Sequence, residues 1–167
     1  QGSVEADADT QMVARSVDAS AATKAEEIAS GAVAITVAEL NAAPLSLAAS
    51  LSAVAVHKLG TADITQLSAE TFHIINFSYF DDAQIAALSL SQIDSLTALQ
   101  ISQMTSSQLV ALGDHITALT PANVSALSQT LSDNLTTAQI LLLAGAGKLD
   151  NLSTQLTITQ VNGLAGN

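Results

Sequence analysis

Asp81-Asp-Ala-Gln-Ile-Ala-Ala-Leu88, Ser89-Leu-Ser-Gln-Ile-Asp-Ser-Leu96, Thr97-Ala-Leu-Gln-Ile-Ser-Gln-Met104 and Thr105-Ser-Ser-Gln-Leu-Val-Ala-Leu112 are octads that follow one another without a gap. Each opens on Asp, Ser or Thr and carries Gln at position 4, Ile or Leu at position 5, and Leu or Met at position 8. Positions 1 and 4 spell a capping box, in which the first side chain accepts from the backbone N–H three residues on and the Gln reaches back. Every octad therefore carries its own helix start. Ser and Thr inside a helix bond local backbone in preference to extending the ladder, which favours restarts. Positions 5 and 8 share one helical face, but the next apolar position lies five further on and breaks the i, i+3, i+4, i+7 series. At about 100° per residue, eight residues overshoot two turns by roughly 80°. In one continuous helix the apolar stripe would wind around the rod, whereas short helices re-aimed at each cap keep every apolar pair on one core. A helix of about six residues is not stable alone, so stacked neighbours must supply the burial. The expected fold is mostly α, an array of short helices in a solenoid-like stack. One rival is a single long amphipathic helix. The other is a β-solenoid, which the missing period-2 alternation and the abundant Ala and Gln disfavour.

Upstream, a weaker form of the repeat begins at Leu45, with Ala48/Leu51, Val56/Leu59 and Ile64/Leu67 as apolar pairs spaced by three. Thr61 and Ser68 are expected to open helices. Phe72-His-Ile-Ile-Asn-Phe-Ser-Tyr-Phe80 interrupts the pattern and holds every Phe and Tyr of the chain. Its bulk suits a packing plug at an end or bend, and Phe77 and Tyr79 are the candidates for a ligand patch. Downstream, 113–119 is a seven-residue version, and 120–127 restores the eight with Pro121 at the first helical position. Octad 128–135 is imperfect and 136–143 is clean. Ala144-Gly-Ala-Gly147 reads as a loop and 157–164 as the last match. One or two short β segments are expected near 32–37 and 154–161, from Val33, Ile35 and Val37 and from Thr157-Ile-Thr, although Thr36-x-x-Glu39 is another capping pair and the first run could equally lead into a helix. The acidic stretch 1–31 differs in kind and is expected to be partly flexible or helical, leaving 32–167 as the octad-repeat domain. No leader is visible at Gln1, and the repeat reaches the end; a removed leader, a longer parent array or a C-terminal export signal would each account for this.

The four basic residues, Arg15, Lys24, Lys58 and Lys148, stand against a net charge of −11. A nucleic-acid partner is therefore not expected, because neutralising phosphates needs basic patches. Anionic lipid is disfavoured for the same reason. The absence of cysteine removes disulfide staples and thiolate metal sites. No apolar run is long enough to predict a transmembrane span. The acidic, Cys-free, Ser/Thr/Ala-rich composition suits an exported bacterial protein. With aromatics at only 2%, the core must be built from Leu, Ile, Val and Ala.

The octad Thr/Ser-x-x-Gln-Ile/Val-x-x-Leu resembles the octapeptide-repeat regions of very large exported Gram-negative surface proteins described as adhesin-like or haemolysin-like. The resemblance covers roughly residues 45–164. It implies a spacer, surface or matrix protein without an active site. The Gly-Asp-rich calcium nonapeptides common in such proteins are absent here.

Chemical constellations are sparse. His57, His73 and His115 lie far apart, with no local zinc spacing. No GxSxG elbow marks a nucleophile, and Ala144-Gly-Ala-Gly-Lys148 lacks the spacing of a phosphate loop. Asp81 and Asp82 are the calcium candidates, although Asp81 also reads simply as a helix cap. No other cofactor is expected. Of the four Asn-x-Ser/Thr sequons, at Asn76, Asn123, Asn134 and Asn151, chance accounts for most in a chain this rich in Ser and Thr. The expected function is non-catalytic: a structural protein of the bacterial cell surface or extracellular (biofilm) matrix, self-associating as a homo-oligomer or filament. Val33, Ile35 and Val37 are the candidates for bridging subunits by edge pairing. The alternative is an adhesin-type binding module for a glycan or host surface.

Overall fold

The computed structural model describes residues 35–166. The described chain is mostly helical, a succession of short α- and 3-10 helices, none longer than the nine residues of Thr137–Gly145. The four founding octads fold as the helices Asp82–Ala86, Leu90–Asp94, Ala98–Gln103 and Ser106–Ala111, each starting at position 2 of its octad. Asp81, Ser89, Thr97 and Thr105 are the caps, and all four form complete capping boxes with Gln84, Gln92, Gln100 and Gln108. The cap residues are extended, with ψ between 156° and 169°. That kink redirects the chain every eight residues, so positions 5 and 8 return to the same core. Ile85, Leu88, Ile93, Leu96, Ile101, Met104, Leu109 and Leu112 are all buried.

The register begins before Leu45, at the Thr36-x-x-Glu39 capping pair. Thr36 caps Val37–Ala42, Ser52 caps Ala53–His57 and Ser68 caps Ala69–Ile74. Units of eight therefore begin at 36, 44, 52, 60 and 68. Shortened units keep the pattern by dropping to 3-10 geometry: Phe77–Tyr79 serves the five-residue unit 76–80, and Gly113–Ala118 serves 113–119. The aromatic stretch is thus one full unit followed by a short one. Unit 128–135 inverts positions 4 and 5: Leu131 is buried at the first, while Ser132, buried at the second, bonds the Thr154 hydroxyl.

Two expectations change. There is no strand among the described residues. Ile158–Ala165 is a helix, because the Thr157–Gln160 capping box overrides the β-branched side chains of Thr157-Ile-Thr. Ile35 and Thr36 lead into a helix in the same way, and Val33 lies outside the described residues. The run 144–147 is also only partly a loop: the helix continues through Gly145, and Gly147 turns the chain at φ 72°. No helix among the described residues is long and apolar enough to cross a membrane.

Packing follows one rule. Helix 44–47 packs on 69–74, 53–57 on 77–79, 61–64 on 82–86, 82–86 on 106–111, and 90–94 on 113–118. Each of these pairs is a unit and the third unit after it.

Candidate functional site

The recurring side chain at position 4 is the most distinctive chemical feature of the molecule. A capping box uses the Gln oxygen, which accepts from the cap N–H, as Gln100 Oε1 does from Thr97 at 3.1 Å. The amide nitrogen is left over, and in every such unit it is aimed at an earlier part of the chain. Gln84 Nε2 donates to the carbonyls of Val56 at 2.7 Å and Leu59 at 2.9 Å. Gln92 donates to Ile64 at 2.7 Å, and Gln100 to Phe72 at 2.9 Å. Gln108 donates to Phe77 and Phe80 at 2.7 and 2.8 Å. Gln139 reaches Leu109 at 2.9 Å, and Gln160 reaches Ser132 and Leu135 at 2.7 and 3.0 Å. Asn123 plays the same part toward Leu96 at 2.8 Å.

The acceptors are the carbonyls of positions 5 and 8, in the fourth unit back. Sequence separations run from 25 to 31 residues. Gln84, Gln100, Gln108, Gln139 and Gln160 are buried, with both ends of the amide bonded. A buried amide is tolerated only when satisfied in this way. The sequence assigns position 4 the part of cap partner alone. The signal for its second role is nevertheless present, since Gln occupies it only from residue 84 onward. The units starting at 36, 44, 52 and 60 carry Glu39, Leu47, Ala55 and Asp63 there instead.

The candidate site residues fall elsewhere. Phe77 is completely buried, its ring 6.4 Å from Phe72 and 5.9 Å from Phe80 in edge-to-face contact. It is a core residue, and of the suspected ligand patch only Tyr79 keeps part of its ring at the surface. Asp81 Oδ1 accepts from the Gln84 N–H at 2.8 Å, and Asp82 accepts from the Ser107 hydroxyl at 2.6 Å. Each carboxylate thus has its own partner, and no cluster of three metal-ligating side chains occurs among the described residues. Ile35 and Val37 are buried within the chain itself. The histidines stay apart: His57 is exposed, His73 Nε2 lies 3.4 Å from Ser95 Oγ, and the buried Nδ1 of His115 has no hydrogen-bond partner. An open depression of about 320 Å³ lies between Thr65, Ser89, Ser91 and Ser95 over Phe72. Among the sequons Asn123 is buried with its amide engaged, whereas Asn134 is exposed.

No protein-family model, no curated protein and no solved structure matches the chain.

Proposed function

We propose that this chain is a non-catalytic structural protein, a spacer or scaffold of the bacterial cell surface or extracellular matrix, in which short helices wind as a solenoid. One observation carries the reading: units pack on the third unit before them, and where position 4 is Gln its amide bonds the fourth. A regular winding with between three and four units per turn produces both relations. The residues that repeat most strictly serve the turn-to-turn contact, and none is left over for chemistry on a substrate. Association of such rods into homo-oligomers or filaments is the natural extension, because open solenoid ends expose repeat faces.

Electron microscopy of the purified protein at micromolar concentration, with and without calcium, tests this reading. Short rods or filaments of constant width are expected. Round, isotropic particles in both conditions would overturn the rod. Rods or filaments formed only with calcium would return Asp81 and Asp82 to consideration.

The second reading is a glycan-binding adhesin module. The hydroxyl-lined depression at Ser89, Ser91 and Ser95 favours it, since hydroxyls and amides are the groups that recognise sugars. Thermal stabilisation by an oligosaccharide, lost in Ser91→Phe, is its expected signature.

A further inference from the structure

The contact between successive turns has two unlike sides. The later unit supplies side-chain amide donors; the earlier one supplies the carbonyls and apolar side chains of positions 5 and 8. The two ends of the described array are therefore not equivalent.

At the head, the position-4 residues are Glu39, Leu47, Ala55 and Asp63. Carboxylates accept and do not donate, and Leu and Ala do neither. Donation there runs both ways: Thr71 Oγ1, at position 4 of its unit, donates back to the Leu40 carbonyl at 3.4 Å, while Asn41 Nδ2 donates forward to the Gln66 carbonyl at 3.0 Å and its Oδ1 accepts from the Ser68 N–H at 2.9 Å. Leu40, at position 5 of the first unit, is 0% exposed. This end is closed.

The tail is the reverse. Gln160 has delivered its amide to Ser132 and Leu135. Val161, at position 5 of that unit, is 50% exposed, whereas position 5 is at most 2% exposed in every eight-residue unit from Leu40 to Ile140. No Gln or Asn amide among the described residues reaches the carbonyls of Val161 or Leu164. Residues 151–166 carry no charge.

We infer that the outer face of Ile158–Ala165 is an acceptor surface for a polypeptide segment built of the same Thr/Ser-x-x-Gln-Ile/Val-x-x-Leu octads. The incoming segment delivers its Gln amides to the carbonyls of Val161 and Leu164 and covers Val161 with its own positions 5 and 8. The basis is continuity with the interface already repeated within the chain, and the inference rests on the solenoid reading above. Among the described residues the units starting at 36, 44, 52 and 60 carry no amide donor at position 4, so the donor octads are of the 81–112 kind. Growth of the array by this contact has one direction.

The test is the full chain with a second copy of residues 81–112 joined after Asn167, followed by amide hydrogen exchange at 161–164. Tethering keeps the added octads at high effective concentration. Exchange slower by about tenfold or more is expected, with the slowing abolished by Val161→Lys and by Gln→Glu at the four added position-4 residues. Exchange unchanged by the added octads, or slowed equally in the Val161→Lys variant, overturns the proposal. A failure here with rods still seen by microscopy rejects the acceptor face alone. Round particles by microscopy reject the solenoid beneath it.

Discussion

Gln100 is the residue on which the sequence says least and the structure most. It bonds forward to its own cap and backward to Phe72, and it is 0% exposed. Gln100→Ala strands the Thr97 N–H and the Phe72 carbonyl, and a loss of roughly 2 kcal/mol or more is expected by urea unfolding. Gln100→Glu is the sharper experiment. The carboxylate still accepts from the cap but cannot donate to the carbonyl, so burial and the facing carbonyl raise the pKa of this new side chain. A folded pKa above the unfolded value means that stability falls as pH rises past about 4.3. The variant is therefore expected to be destabilised at pH 7 and to regain most of the loss in acid, where the protonated group donates. Phe77→Ala is expected to cost roughly 3–5 kcal/mol in thermal or urea unfolding, because the ring belongs to the core. The sequence marks the aromatic cluster but not which rings point inward, since a five-residue 3-10 unit has no period to read. Gly147 sits at φ 72°, and a Cβ there would meet nothing within 4 Å, so Gly147→Ala is expected to cost about 1 kcal/mol from conformation alone.

The helices themselves are legible because the signal that makes them is local. A cap, an amide three residues on and an apolar pair lie within eight residues, and each such unit folds where its sequence places it. Thr97→Ala removes the cap acceptor of Ala98–Gln103 and is expected to cost about 1 kcal/mol. Thr97→Ser is expected to retain nearly full stability in the same unfolding measurement. What is not legible is instructive. The β reading at 157–161 fails because intrinsic strand preference is weak beside a satisfied capping box. Units 36–43 and 44–51 depart from the Gln pattern because Glu39 and Leu47 take position 4, although Thr36 and Glu39 still spell a capping pair. They break it where no earlier unit within the described residues receives a donor.

For the molecule as a whole, the prediction concerns register. Since units pack on the third unit before them and the position-4 amides reach the fourth, removing one whole octad leaves the later units facing equivalent ones. Deletion of residues 97–104 is expected to give a folded, less stable protein with a cooperative thermal transition. Deletion of 97–100 alone moves positions 5 and 8 out of the core for everything downstream and is expected to abolish that transition, as circular dichroism would show. The octad is visible in the sequence, but the pairing of units three and four apart is not. Nothing within eight residues announces a partner 25 to 31 residues away, and only the absence of Gln from the first units hints at it.

The backward aim of the Gln amides also bears on how the chain is made. Synthesis proceeds from the N-terminus, so when Gln84 leaves the ribosome its acceptors at Val56 and Leu59 have long since emerged. No amide in the ladder waits for a partner not yet translated. None of these amide contacts spans more than 31 residues, and they can form in the order in which the residues are delivered. A nascent chain halted after Leu112 would then already hold its first turns closed, and the remainder would be laid on it course by course.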